Sequence, residues 1–214
     1  MSLELKKINV TIQASPILRS IDLKVGPGER VGLIGRNGAG KTTTMRTIAG
    51  LAHPVSGEVL FDGQPITSMP SDERAQLGFG YMPEDRRLVP LLTVEENMLL
   101  PAWVNKAIDG PARLKIVYDL MPELTPMKGR KALQLSGGQQ KLVALGRALV
   151  AGSRLLFLDE PFEGVAPALS ERITQVIASL QDEKLSILIA QSELNHANKL
   201  LDRECVIERG EIAG

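Results

Sequence analysis

The run Gly35-Arg36-Asn37-Gly38-Ala39-Gly40-Lys41-Thr42-Thr43 constrains this chain more than any other stretch. It has the form G-x-x-x-x-G-K-[ST]. The apolar residues Val31-Gly32-Leu33-Ile34 precede it, and the helix-compatible Thr44-Met45-Arg46-Thr47-Ile48-Ala49 follows. A strand before and a helix after is the context in which this spacing becomes a phosphate cradle. Glycines admit conformations and close approaches that a Cβ forbids, so successive N–H groups converge on one anion. The helix adds its free N-terminal amides and the positive end of its dipole. Lys41 supplies a charge for the β- and γ-phosphates and Thr42 a hydroxyl for Mg²⁺. The plainer alternative is a Gly-rich turn with an exposed lysine. Strand, spacing and hydroxyl together argue against it.

With 214 residues the chain is expected to form one domain, with room for an inserted subdomain and a substantial core. Lys+Arg and Asp+Glu both number 25, so no overall basic charge points to nucleic acid. The single cysteine, Cys205, excludes an internal disulfide and fits a reducing compartment. Its strand-like setting, Glu204-Cys205-Val206-Ile207, favours a buried structural thiol. The N-terminus lacks the apolar core of a signal peptide, and no apolar run reaches membrane-spanning length. Any membrane role is therefore expected to run through a partner.

Strands are expected over Leu5–Ile12 and Ile21–Val25, and over Arg30–Gly35 leading into the glycine loop. Another covers Ser56–Phe61, closed by the Asp62-Gly63 turn, and another Gly78–Glu84, stopped near Pro83. Gly50 suits the position just after the first helix. Ser71–Ala75 opens a short helix, with Ser71 or its neighbour as cap. Thr93-Val94-Glu95-Glu96 is a capping box. Further helices are expected over Pro111–Met121, Gln139–Val150 and Ala168–Leu180. The apolar runs Leu155–Leu158 and Ser186–Ala190 read as buried strands. Short apolar strands alternating with helices argue for a parallel sheet covered on both faces.

Two more motifs share that sheet. Asp159-Glu160 follows Leu155-Leu156-Phe157-Leu158, so an apolar strand holds two acids at its carboxyl end, where ligands bind in open α/β sheets. Asp159 is suited to hold Mg²⁺, directly or through water, and Glu160 to polarise an attacking water. A solvated strand end or a helix cap is the alternative for an isolated Asp-Glu pair. The third motif, Leu135-Ser136-Gly137-Gly138-Gln139, has its Ser136 placed 23 residues before Asp159 and opens a helix. Its amides and hydroxyl form a second anion-ready site. One nucleotide does not need two phosphate cradles from one chain. Two copies arranged head to tail would bring them together.

This trio, in this order, resembles the ATP-binding-cassette (ABC) ATPases, over essentially the whole chain. The resemblance implies an α/β fold: a P-loop NTPase (RecA-like) parallel-sheet core, an N-terminal antiparallel β subdomain and an inserted helical subdomain. It implies one ABC domain over residues 1–214, with the helical insertion at about 88–133. Two subunits, identical or related, would sandwich two ATP molecules with Mg²⁺. Each ATP would lie between the phosphate loop of one (Gly35 to Thr43) and Leu135 to Gln139 of the other. Glu160 is implied as the catalytic carboxylate, with Lys41 on the phosphates and Gln191 at the switch position. Thr42, Asp159 and Glu84 are implied around the metal, and Glu163 to Pro167 at the dimer seam. A groove around Glu84 would receive a coupling helix of a membrane permease at the cytoplasmic face. No nucleic-acid partner is expected. The strings ITSMPSDERAQL (66–77), YMPEDRR (81–87), LTVEENMLL (92–100) and Val165-Ala166-Pro167 are similar to the ATPases of branched-chain amino-acid and urea importers.

The chain departs from the general family pattern at four places. Glu84 stands where Gln is usual, and Gln191 where the switch histidine is usual. The similar importers share both. His196, five residues beyond Gln191, is an alternative for the switch, or an ordinary helix histidine. The adenine-stacking aromatic aligns with Ile12, which has no π face. The chain also stops soon after Ile212, where relatives add a short tail. Among the alternatives, a soluble ABC ATPase acting on nucleic acid or the ribosome usually carries two cassettes or long coiled-coil insertions. This chain has one cassette and no long heptad run. A regulator with little turnover is disfavoured by Glu160. An exporter is a further alternative.

Overall fold

The structure is a computed structural model that describes residues 2–180, 185–192 and 197–213. The first strands alternate buried and exposed residues, as a sheet with one packed face requires. β1 (Leu3–Ile12) and β2 (Ser15–Val25) form a hairpin, and β4 (Ser56–Phe61) and β5 (Gln64–Pro65) complete a four-stranded antiparallel sheet of order β2-β1-β4-β5. The turn between β4 and β5 uses Asp62 (φ 51°) and Gly63 (φ 76°), the left-handed pair that a tight hairpin needs. β2 begins earlier than the apolar pattern suggests, because register shifts in the hairpin interrupt the alternation.

The second sheet is built from strands buried along their whole length. β3 (Arg30–Ile34), β7 (Leu155–Asp159) and β8 (Ser186–Gln191) have no exposed residue. With β6 (Phe79–Met82), β9 (Arg203–Glu208) and β10 (Glu211–Ile212) they give the order β10-β9-β3-β8-β7-β6. Five of these six strands are parallel, and β10 is an antiparallel edge. The register Ile34↔Gln191, Asp159↔Ala190 and Met82↔Leu158 brings the carboxyl ends of β3, β8, β7 and β6 to one edge of the sheet.

α1 (Lys41–Ile48) starts at the loop lysine itself, three residues earlier than its apolar pattern. Gly40, its N-cap, sits at φ 113° and has no side chain to occupy the first amides. A Cβ on Gly35 would lie 2.2 Å from the carbonyl of Ile207 on β9, so only glycine lets the loop leave the sheet there. At the other end of α1, Gly50 turns the chain at φ 74°. The carbonyls of Thr47 and Ile48 accept hydrogen bonds from the Arg74 guanidinium at 2.7 and 2.9 Å. Arg74 is buried, and the carbonyls of Met69 and Thr67 also accept from it, so its charge is solvated by backbone dipoles. It belongs to α2 (Ser71–Gln76). The cap of α2 is Pro70, with no side-chain bond to the helix, so Ser71 is not the cap that its residue type suggests.

Between β6 and α5 the chain is mainly helical. α3 (Val94–Val104) opens with the Thr93–Glu96 capping box, and α4 (Gly110–Leu120) is capped by Asp109. α5 (Gly137–Ala151) and α6 (Pro167–Ser179) follow. One core cluster joins the inner faces of α3–α6 to β7 and β8. A second lies between the two sheets. Most of the few aromatics lie in one chain: Phe61 edge-on to Phe79 at 4.8 Å, Phe79 edge-on to Phe157 at 5.8 Å, and Tyr81 stacked on Phe157 at 4.9 Å. Spent on the core, these rings are not available to a nucleotide base.

Candidate ATP-binding and hydrolysis site

The glycine loop and the end of β7 share a cavity of about 430 Å³ lined by Ile17, Asn37, Gly38, Gly40, Lys41, Thr42, Thr43, Glu84 and Glu160. A second, of about 400 Å³, holds Phe162, Glu163, Gly164, Val165, Pro167, Ser170, Gln191 and Ser192. Asn37 and Glu160 line both.

Lys41 is almost fully buried. Its ammonium donates to the carbonyls of Gly35 (2.6 Å) and Arg36 (3.2 Å) and to Ser192 Oγ (3.2 Å), and it pairs with Glu160 Oε1 at 3.1 Å. Thr42 Oγ1 donates to Asp159 Oδ1 at 3.2 Å, and the Tyr81 hydroxyl meets Asp159 Oδ2 at 3.4 Å. Asp159 has no exposed surface. Burial pushes its pKa up to about 6, aided by the negative charges of Glu84 and Glu160 and opposed by the bonds from Thr42 and Tyr81. The phenol of Tyr81 is pushed up in turn, by burial first and then by Asp159. A buried carboxylate beside a hydroxyl, with Glu84 on the same cavity, is a hard oxygen donor set that suits Mg²⁺. Among the described residues no group of three or more His, Cys, Asp or Glu could cage a metal alone.

Glu160 follows the last residue of β7 with φ 49°, a left-handed conformation that is uncommon outside glycine. Its N–H donates to the Ala190 carbonyl at 2.9 Å. Strand pairing thus continues into the strained residue and aims its carboxylate at the cavity. Gln191 is buried, lines the second cavity, and its Oε1 has no hydrogen-bond partner among the described residues. An unpaired buried amide oxygen costs about 1–3 kcal/mol, so this side chain is arranged for a partner rather than for stability. His196 lies outside the described residues.

Two groups of expected site residues stand apart. Ile12 ends β1 opposite Ser15, is 44% exposed, and does not line the cavity. Ile17 on β2 does. Leu135, Ser136, Gly137, Gly138 and Gln139 line neither cavity. Ser136 caps α5: its Oγ accepts from the Gln139 N–H at 3.3 Å, and Gln139 Oε1 accepts from the Ser136 N–H at 3.0 Å. Ser136 and Gly137 face outward. The loop after Glu84 is tied to this helix. Arg86 Nη1 donates to the Gly137 carbonyl at 3.2 Å, and Arg147 on α5 donates to the carbonyls of Arg86 (2.6 Å) and Arg87 (2.7 Å).

The sequence reading missed Ser192 and the hydroxyl of Tyr81. Position alone could have flagged Ser192, since it is the first residue beyond the strand end that carries Gln191.

Residues 18–163 match the family model described as ABC transporter. The chain belongs to the ABC transporter ATP-binding family. It is 35% identical over 195 residues to the high-affinity branched-chain amino acid transport ATP-binding protein BraG of Pseudomonas aeruginosa, covering 91% of this chain and 84% of that protein. It is 34% identical to the probable branched-chain amino acid transport ATP-binding protein LivF of Archaeoglobus fulgidus (97% and 88% covered). It is also 32% identical to the lipopolysaccharide export system ATP-binding protein LptB of Haemophilus influenzae (92% and 82%). Among solved structures, the dimeric bacterial ABC transporter cassette MJ0796 superposes with TM-score 0.88 at 26% identity, over 99% of this chain and 97% of that one. The same cassette in a post-hydrolysis state bound to ADP and Pi superposes with TM-score 0.88 at 25% identity. This ABC cassette is an ATPase with the P-loop NTPase fold, and it serves as the ATPase subunit of a transporter. No helix among the described residues is long and apolar enough to cross a membrane.

Proposed function

We propose that this ABC ATPase powers an importer of amino acids or a related small polar solute, docked to a permease at the cytoplasmic face of the membrane and acting as a homodimer or with a related ATPase. The convergence of Lys41, Thr42, Asp159, Glu160 and Gln191 at one sheet edge carries the catalytic part. The likeness to BraG and LivF supports the amino-acid part, and the likeness to LptB favours export as the second reading.

In this reading the amides of Gly38 to Thr43 and the Lys41 ammonium hold the β- and γ-phosphates. Thr42, Asp159 and Glu84 hold Mg²⁺, which neutralises phosphate charge when bound. Glu160 accepts the proton of the attacking water as the oxygen approaches the γ-phosphorus. Gln191 turns its amide N–H₂ to the γ-phosphate oxygens. It has no titration near neutral pH with which to take the water's proton itself. Ser136 to Gln139 of a second copy close the site over the γ-phosphate.

Glu160→Gln should bind ATP with near wild-type affinity and turn over at least ~100-fold slower, the range for a lost general base. Near wild-type turnover at saturating Mg²⁺ would remove Glu160 from this role. Identifying the permease that co-purifies with the protein separates import from export.

A further inference from the structure

Ser192 contacts the reacting carboxylate through two atoms of one residue. Its backbone N–H donates to Glu160 Oε2 at 3.1 Å, and its hydroxyl lies 2.5 Å from Glu160 Oε1. The same Oγ accepts from Lys41 Nζ at 3.2 Å and lies 2.6 Å from Asn37 Oδ1. A serine hydroxyl has one proton and two acceptor lone pairs. Glu160, as the charged acceptor, takes the proton. Lys41 fills one lone pair. Asn37 fills the other only with its amide turned so that N–H₂, and not Oδ1, faces the hydroxyl. With that turn all three capacities of Oγ are used, and every partner belongs to the phosphate loop or to the end of β7.

The backbone under Ser192 is anchored on both sides. The Gln191 carbonyl accepts from the Gly35 N–H at 3.1 Å, and the Ala190 carbonyl accepts from the Glu160 N–H at 2.9 Å. Ser192 is thus fixed relative to both the glycine loop and Glu160, and its hydroxyl transmits that placement to the carboxylate. Glu160 otherwise hangs from a left-handed backbone at φ 49°, with its side chain facing two cavities. Lys41 is its other close partner, and the phosphates compete for Lys41.

We propose that Ser192 is a positioning residue for ATP hydrolysis: its N–H and O–H clamp the two Glu160 oxygens in the orientation that receives the water's proton. The clamp rests on the assignment of Glu160 as general base, and on no contact between Ser192 and the base or sugar.

The test compares Ser192→Ala and Ser192→Thr, alone and with Glu160→Gln. ATP affinity is read by equilibrium binding, and the chemical step by single-turnover phosphate release. Ser192→Ala keeps the backbone N–H and loses the hydroxyl. Its phosphate-release rate should fall roughly 5–20-fold, the scale of one charge-assisted hydrogen bond. ATP affinity should stay within about twofold, because Lys41 keeps its carbonyl partners and the loop amides are untouched. Ser192→Thr, which retains the hydroxyl, should recover most of the rate. In the Glu160→Gln background Ser192→Ala should change the residual rate by less than about twofold, since nothing remains to position. An unchanged rate in Ser192→Ala overturns the clamp. So does an equal loss with and without Glu160, or a loss expressed as weakened ATP binding. If Glu160→Gln alone retains turnover, the assignment of the base fails, and the clamp fails with it. If Glu160→Gln is inactive and Ser192→Ala is normal, only the clamp fails.

Discussion

Asp159 is buried at a cost in stability. Its carboxyl is fully buried, and in the folded chain it titrates near 6, against about 3.9 in an unfolded one. A folded-state value above the unfolded one means that the native protein binds more protons between about pH 4 and pH 6. Stability therefore falls as pH rises through that window and stays lowered above it. Without nucleotide and divalent metal, Asp159→Asn should raise stability at pH 7.5 by about 1–2 kcal/mol, at about 2–4 °C in Tm per kcal/mol for a chain of this size. The gain should vanish near pH 4, and turnover should be lost. Melting curves across pH 4–8 check both, and a destabilised Asn variant at pH 7.5 would contradict the assignment. Glu160 and Gln191 show the same pattern, with a left-handed backbone at one and, at the other, a buried oxygen that has no partner among the described residues. Local rules are broken where the chemistry sits.

At the scale of elements, the strands that hold these residues were legible because each is an uninterrupted apolar run. β3, β7 and β8 have no solvent face, so their sequences carry no alternation to misread. The capping box at Thr93 was legible from residue type and spacing, whereas Ser136 was read only as a helix start and the structure adds the box that Gln139 completes there. What the sequence hid depends on partners far along the chain. Arg74 caps α1 from α2, 26 residues away from Ile48, and Ser192 reaches Glu160 from the next strand. Ile17, not Ile12, lines the cavity beside the glycine loop, and it lies in a hairpin whose shifted register has no motif to anchor it. α5 carries a test of its own. Ser136 accepts from the Gln139 N–H, so Ser136→Ala should cost about 0.5–2 kcal/mol in thermal stability through the lost cap. An unchanged melting temperature would mean that water replaces the hydroxyl fully.

For the whole molecule, the four motif regions fall into two groups that one chain does not unite. The glycine loop, Asp159-Glu160 and Gln191-Ser192 share an edge of the parallel sheet. Ser136 and Gly137 face outward at the start of α5, and Ser136 to Gln139 line neither cavity. The Arg86 and Arg147 bonds tie the loop after Glu84 to the start and body of α5. A second copy turned head to tail would put each Ser136 over the other's phosphate loop, giving two composite sites. Sedimentation velocity of Glu160→Gln with ATP and Mg²⁺ tests this most directly. The account predicts a dimer that forms only with ATP and is abolished by adding Ser136→Arg, which sets bulk and charge where the γ-phosphate must meet backbone amides. A monomer at saturating ATP, or a dimer indifferent to Ser136→Arg, would contradict it.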